Sequence, residues 1–167
     1  MKLLTIITLL LFLISCSREV EIINLTTGKD NIVYEKGKTK PFSGVAILKK
    51  NKKTLTIWNY KNGKADGICK NYYENGNLKF FGEFKNGLPN GVLKEYNTNG
   101  TLVLEENYLN GVLNGEKKDF YENGTLKSLE TYKDDYLHGP RITYDIEGNI
   151  KLQESYHFDE VSNSQFW

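Results

Sequence analysis

The sequence predicts an all-β protein, an elongated array of antiparallel β-hairpins built from tandem 24-residue repeats. Three observations predict it. The aromatic column Tyr60, Phe84, Tyr108, Tyr132, Tyr156 recurs unbroken through five copies. Glycines recur at the same interval, as Gly67, Gly91, Gly115, Gly139 and again as Gly76, Gly100, Gly124, Gly148. Between them apolar side chains alternate with polar ones: Leu102, Leu104 and Tyr108 share one pleated face, while Val103, Glu105 and Asn107 take the other.

The elements of one repeat follow from its punctuation. Asn75-Gly76, Asn99-Gly100 and Asn123-Gly124 each separate two runs rich in aromatic and aliphatic residues. Asn-Gly supplies the positive φ angles of a tight hairpin turn, so each unit reads as a hairpin closed at that dipeptide. A second turn, at Asn62-Gly63, Asn86-Gly87 or Asn110-Gly111, is expected to lead through a short connection into the next hairpin; its glycine gives way to Asp135 in the later copy. One hairpin alone is marginal in water, whereas stacked repeats line their aromatic columns into a ridge and stabilise one another pairwise. The glycines are thereby structural and carry no chemistry.

The ends depart from the period. Gly44 opens a copy one residue short, with Lys50-Asn51-Lys52 where the others have Asn-Gly. Residues 16–41 read as a tether with an irregular first strand at Ile32-Val33-Tyr34, residues 42–160 as the repeat array and 161–167 as a C-terminal tail. Phe166 and Trp167 either cap the last hairpin or belong to a disordered tail.

Residues 1–15 read differently from the rest. Lys2 precedes an apolar stretch from Leu3 to Ile14, interrupted only by Thr5 and Thr8, as in a signal peptide. As a helix that stretch would span about 18 Å, short of a hydrocarbon core of about 30 Å. The stretch ends in Leu13-Ile14-Ser15-Cys16, which resembles the lipobox of bacterial lipoproteins. The resemblance implies cleavage before Cys16 and lipidation of its thiol and new amino terminus, palmitate being the usual type of acyl chain. Two or three chains, at about 0.8 kcal/mol per buried CH₂, make a stable anchor. Ser17 provides no acidic retention signal, so the expected location is the cell envelope, extracytoplasmic, on the outer membrane if the cell has one. Cys69 is then left without a partner, which excludes an intramolecular disulfide and reads as a small buried residue on a strand.

Lys2 is the only charged side chain ahead of Cys16, so processing leaves 21 Lys and Arg against 21 Asp and Glu. The charges are interleaved, apart from the Lys49-Lys50-Asn51-Lys52-Lys53 run, which reads as a solvated turn. Nucleic-acid binding needs a positive excess that is missing here.

The segment Phe80-x-Gly82-x-Phe84-x-x-Gly87-x-x-Asn90-Gly91 resembles the MORN repeat, and the copy with Tyr132, Asp135, His138 and Gly139 keeps its His-Gly pair. With the Glu-Asn-Gly turns and the Pro41-Phe42-Ser43-Gly44 entry, the pattern is most similar to the bacterial MORN variant, whose members are often described as YwqK-type antitoxin-like. The resemblance spans about Pro41 to Glu160. It implies a hairpin array and a protein partner, which for an antitoxin would be a toxin.

The search for chemistry is negative. His138 and His157 stand nineteen residues apart in different columns and read as a turn residue and a variable surface residue, neither a base nor a ligand. Glu106, Glu130 and Glu154 recur once per repeat, as on a solvated strand face. No Gly-x-Ser-x-Gly motif is present. The expectation is therefore no catalytic residue, no metal, no cofactor and no small-molecule substrate. What is abundant is aromatic: 11 Tyr and 8 Phe, with doublets such as Tyr72-Tyr73, Phe80-Phe81 and Phe120-Tyr121 that must place rings on both faces. The sequence thus points to a non-enzymatic, membrane-anchored protein-binding or scaffold module, with a toxin-neutralising partner as the alternative. Changing Cys16→Ala should release the protein from the membrane fraction or leave its signal uncleaved; unaltered fractionation and mass would refute the lipid anchor.

Overall fold

The computed structural model describes residues 18–166; Cys16, the signal ahead of it and Trp167 lie outside the described residues. The strands are β1 (Glu19–Glu21), β2 (Leu25–Thr27), β3 (Val33–Glu35), β4 (Gly44–Lys50), β5 (Lys53–Lys61), β6 (Lys64–Tyr72), β7 (Leu78–Lys85), β8 (Leu88–Tyr96), β9 (Leu102–Leu109), β10 (Val112–Phe120), β11 (Leu126–Lys133), β12 (Tyr136–Tyr144), β13 (Ile150–His157) and β14 (Glu160–Phe166). Twelve of them form one sheet in the order β1-β4-β5-β6-β7-β8-β9-β10-β11-β12-β13-β14, and β2 and β3 form a separate pair. From β4 onward each strand is antiparallel to the next, while β1 runs parallel to β4. The protein is the predicted all-β array, one strand pair per 24-residue period.

The two Asn-Gly dipeptides make different turns, and their roles differ from the sequence expectation. The two-residue turns that join one hairpin to the next are Asn62-Gly63, Asn86-Gly87, Asn110-Gly111, Asp134-Asp135 and Phe158-Asp159, and a sixth, Asn51-Lys52, closes the β4–β5 hairpin on the opposite rim. Both residues have positive φ in each, for example Asn86 at 51° and Gly87 at 86°. That is the type I′ geometry, whose twist matches the strands it joins. No further connection follows them; the next strand starts at once. At Asn75-Gly76, by contrast, five residues separate β6 from β7, and only Gly76 has positive φ, 98°. There Gly76 N–H donates to Tyr73 O at 2.9 Å, and Tyr73 N–H to Asn77 O at 2.9 Å, a four-residue turn closed by a left-handed glycine. Asn75 Oδ1 accepts Asn77 N–H at 3.0 Å, which fixes the loop from within. Gly100, Gly124 and Gly148 repeat this arrangement at φ 89°, 86° and 92°.

A third glycine column sits inside strands. Gly115, in β10 with φ 118°, lies where the pairing of β10 to β9 slips between Leu113 and Lys117. A Cβ there would stand 3.1 Å from Asn107 Cβ. Asn107 Nδ2 in turn donates to Glu116 O at 2.7 Å, satisfying a carbonyl in the interrupted stretch.

Consecutive repeats are locked at both rims. On one rim the second residue of each two-residue turn donates its N–H backward, Gly87 to Ala65 O at 2.7 Å, Gly111 to Pro89 O at 2.8 Å, Asp135 to Leu113 O at 3.0 Å and Asp159 to Leu137 O at 2.9 Å. On the other, Tyr73 Oη donates to Tyr96 O and Tyr121 Oη to Tyr144 O, both at 2.8 Å.

The fully buried apolar residues, Phe42, Val45, Ala46, Ile47, Ala65 and Cys69, all lie at the β4–β6 end. The segment before them holds three short strands instead of one, with a 3-10 turn at Ile22–Asn24. Val33 N–H donates to Gly63 O at 2.9 Å, which docks this segment on the first two-residue turn. At the other end residues 160–166, the described part of the tail, form edge strand β14, paired to β13, with Phe166 81% exposed; Trp167 lies outside the described residues.

Candidate functional site

Tracing cross-strand partners through the sheet gives one row of side chains on a single face: Ala46, Trp58, Cys69, Gly82, Leu93, Glu106, Lys117, Glu130, Arg141, Glu154. Directly opposed residues in antiparallel strands share a face, so the row is contiguous. Its odd-strand positions recur at the repeat interval as Trp58, Gly82, Glu106, Glu130, Glu154. Its even-strand positions recur as Cys69, Leu93, Lys117, Arg141. Where the odd column is apolar or small the even column is apolar, and where it turns acidic the even column turns basic. The row therefore changes from a greasy half to a ladder of alternating charge.

In the apolar half Trp58 stacks near Phe80 at 6.5 Å and Phe84 at 5.5 Å between ring centroids, and Phe42 lies 5.9 Å from Tyr60. Trp58 Nε1 donates to Asn71 Oδ1 at 3.0 Å, so its one polar atom is satisfied. Cys69 is fully buried beneath these rings, and burial pushes its thiol up to about 11, well away from thiolate chemistry.

In the charged half the three glutamates are not the solvated carboxylates that the sequence suggested. Their side chains are 14–15% exposed. Each accepts a phenolic hydrogen bond from the aromatic column two residues on: Tyr108 to Glu106 at 3.0 Å, Tyr132 to Glu130 and Tyr156 to Glu154 at 2.9 Å. Arg141 bridges two of them, Nε to Glu130 and Nη1 to Glu154, both at 3.1 Å, and Lys117 Nζ stands 3.7 Å from Glu106. Burial works against the Arg141 charge, and its hydrogen bonds to Tyr156, Glu130 and Glu154 outweigh that penalty and raise its pKa. Phe84, the one column member without a hydroxyl, sits two residues from Gly82, where no carboxylate needs a donor.

The opposite face carries Phe81, Lys94, Glu105 and Lys118 as successive partners. Lys94 Nζ is 2.8 Å from Glu105. The Phe80-Phe81 doublet thus divides between the faces as the alternation requires.

The histidines are where sequence reasoning failed. His138 lies within β12, not in a turn, and is the direct partner of His157 on β13, with ring centroids 5.1 Å apart. Among the described residues no group of three or more His, Cys, Asp and Glu is gathered to hold a metal.

Three consecutive stretches, residues 65–86, 89–110 and 113–134, match the MORN repeat variant. Each begins near the start of an even strand, takes in the five-residue turn and ends in the next two-residue turn. The matched MORN unit is therefore one strand–loop–strand hairpin, and its boundaries fall at the type I′ rim. The hairpins β4–β5 and β12–β13 continue the same sheet beyond the matched stretches. MORN repeats are in general protein- or membrane-binding modules. No curated protein matches the chain.

Burial, with the hydrogen bond to Glu106 adding to it, pushes Tyr108 up to about 12 from an ordinary value of 10.0. A raised folded-state value means this contribution to stability is complete below pH ~10 and is lost as pH rises to ~12. Thermal melts across that range should show a smaller alkaline loss in Tyr108→Phe than in wild type; parallel profiles would contradict the assignment.

Proposed function

We propose that this chain is a non-enzymatic, lipid-anchored binding module whose Trp58-to-Glu154 face holds a protein partner. The observation that carries the reading is the sheet's construction. The twelve-stranded sheet is one layer, and among the described residues the only other sheet is the β2–β3 pair docked at its β4–β6 end, away from the charged half of the face. The face is thus a rigid platform of half-buried rings and fixed charges. Aromatic residues and arginine are the side chains that dominate protein interfaces, and here their rotamers are held by Tyr–Glu and Arg–Glu bonds before any partner arrives. The match to repeats that generally serve as binding modules supports the same reading. Lipidation at Cys16 would present this platform outside the cytoplasm, close to its membrane.

Photocrosslinking in intact cells tests the proposal. A photoreactive residue at Thr143, in line with Ser128 and Leu152 on the charged face, should capture one discrete protein. The same residue at Gln153, which pairs with Ile142 on the opposite face, should not. Equal capture from both positions, or from neither, would contradict the assignment of the contact face.

A further inference from the structure

We propose that His138 and His157 form a bidentate site for a divalent transition-metal ion of the zinc or copper class. They are the chain's only two histidines, and the fold makes them direct cross-strand partners. Their spacing fits an ion. A zinc–imidazole bond is about 2.0–2.1 Å and the ring centre lies roughly 1 Å beyond the nitrogen, so two rings on one tetrahedral ion have centroids about 5 Å apart. The observed separation is 5.1 Å.

Comparison with the other repeats shows what the pair replaces. At the position of His138 earlier copies have Asp66 and Asn90, whose side chains accept the N–H of Asn86 and Asn110 at 3.2 and 3.0 Å and so brace the next turn. His138 gives up that bond, and its Nδ1 is buried without a partner. The ligand atom on this ring is therefore Nε2. At the position of His157 other copies carry Lys85 and Lys133. Phe158 packs on both imidazoles, at 4.6 and 4.8 Å between centroids, from a backbone φ of 50° that is unfavourable for a bulky side chain. It walls one side of the pair. Among the described residues no third protein donor is gathered with the two imidazoles, so water would complete the shell. Imidazole donors suit zinc and copper over calcium or magnesium. The missing acceptor for Nδ1 weakens such a site by about 10–100-fold relative to one with a supported ring.

The test is calorimetric titration of the detergent-solubilised full chain with zinc chloride and, separately, copper sulfate. His138→Asn and His157→Lys install residues that other repeats carry at these positions, so both variants retain the hairpin, which circular dichroism checks. One ion per chain with at least tenfold weaker binding in each variant is the expected result. Wild-type binding no tighter than in the variants, or none at up to millimolar metal, would overturn the site.

Discussion

The backward hydrogen bond from each two-residue turn that joins one hairpin to the next is the interaction on which the rest of the array depends. A type I′ turn leaves the N–H of its second residue pointing away from its own hairpin. Here that donor finds a carbonyl in the preceding repeat, as Gly111 does on Pro89 and Asp159 on Leu137. The turn is left-handed at both residues, which is why Asn, Asp and Gly fill all of these positions except Phe158. Without it, each hairpin would join its neighbour only through strand pairing and the bonds at the opposite rim, such as Tyr73 Oη to Tyr96 O, and the type I′ rim would be left unfixed.

The row across the sheet is a continuous surface whose chemistry can change from one repeat to the next. Among the described residues the buried apolar side chains are confined to the β4–β6 end, where Ala46 and Cys69 flank Trp58 as its cross-strand partners. From β9 onward the same positions carry Glu106, Lys117, Glu130, Arg141 and Glu154. Half-buried charges are tolerable only if each is paired, and here each carboxylate has a tyrosine hydroxyl and a cation beside it. The structure therefore trades hydrophobic burial for electrostatic order along its length. The outcome is one sheet face with an apolar half and a charged half.

Much of this was legible in the sequence. The period, the strand-rich composition and the glycine columns specify the hairpin array, because each column reflects a local backbone demand. The assignment of the two Asn-Gly dipeptides was not legible: as dipeptides they are identical, and the difference lies in Asn and Asp side chains, such as Asn97 and Asp145, that close the longer loop on itself. The fate of residues 161–166 was also hidden, since Glu160-Val161 lacks the glycines that mark other repeats, yet the pairing edge of β13 still templates a strand. The charged row and the histidine pair could have been read. The glycine column faces the next aromatic column, Gly139 opposite Tyr156, so their neighbours His138 and His157 must also meet. Comparing residues along the chain conceals this, because the partners stand nineteen apart while the repeat is twenty-four.

Hydrogen exchange at the turn amides addresses the central claim most directly. In an isolated type I′ hairpin the second turn amide is open to water and exchanges rapidly. If the repeats are locked as described, Gly87, Gly111 and Asp135 N–H will be protected to the same degree as amides in the adjoining strands, and protection at Gly111 will fall when the preceding repeat is destabilised. Exchange of these three amides at the rate of an unstructured chain, with the strands still protected, would show that the repeats are not joined through their turns.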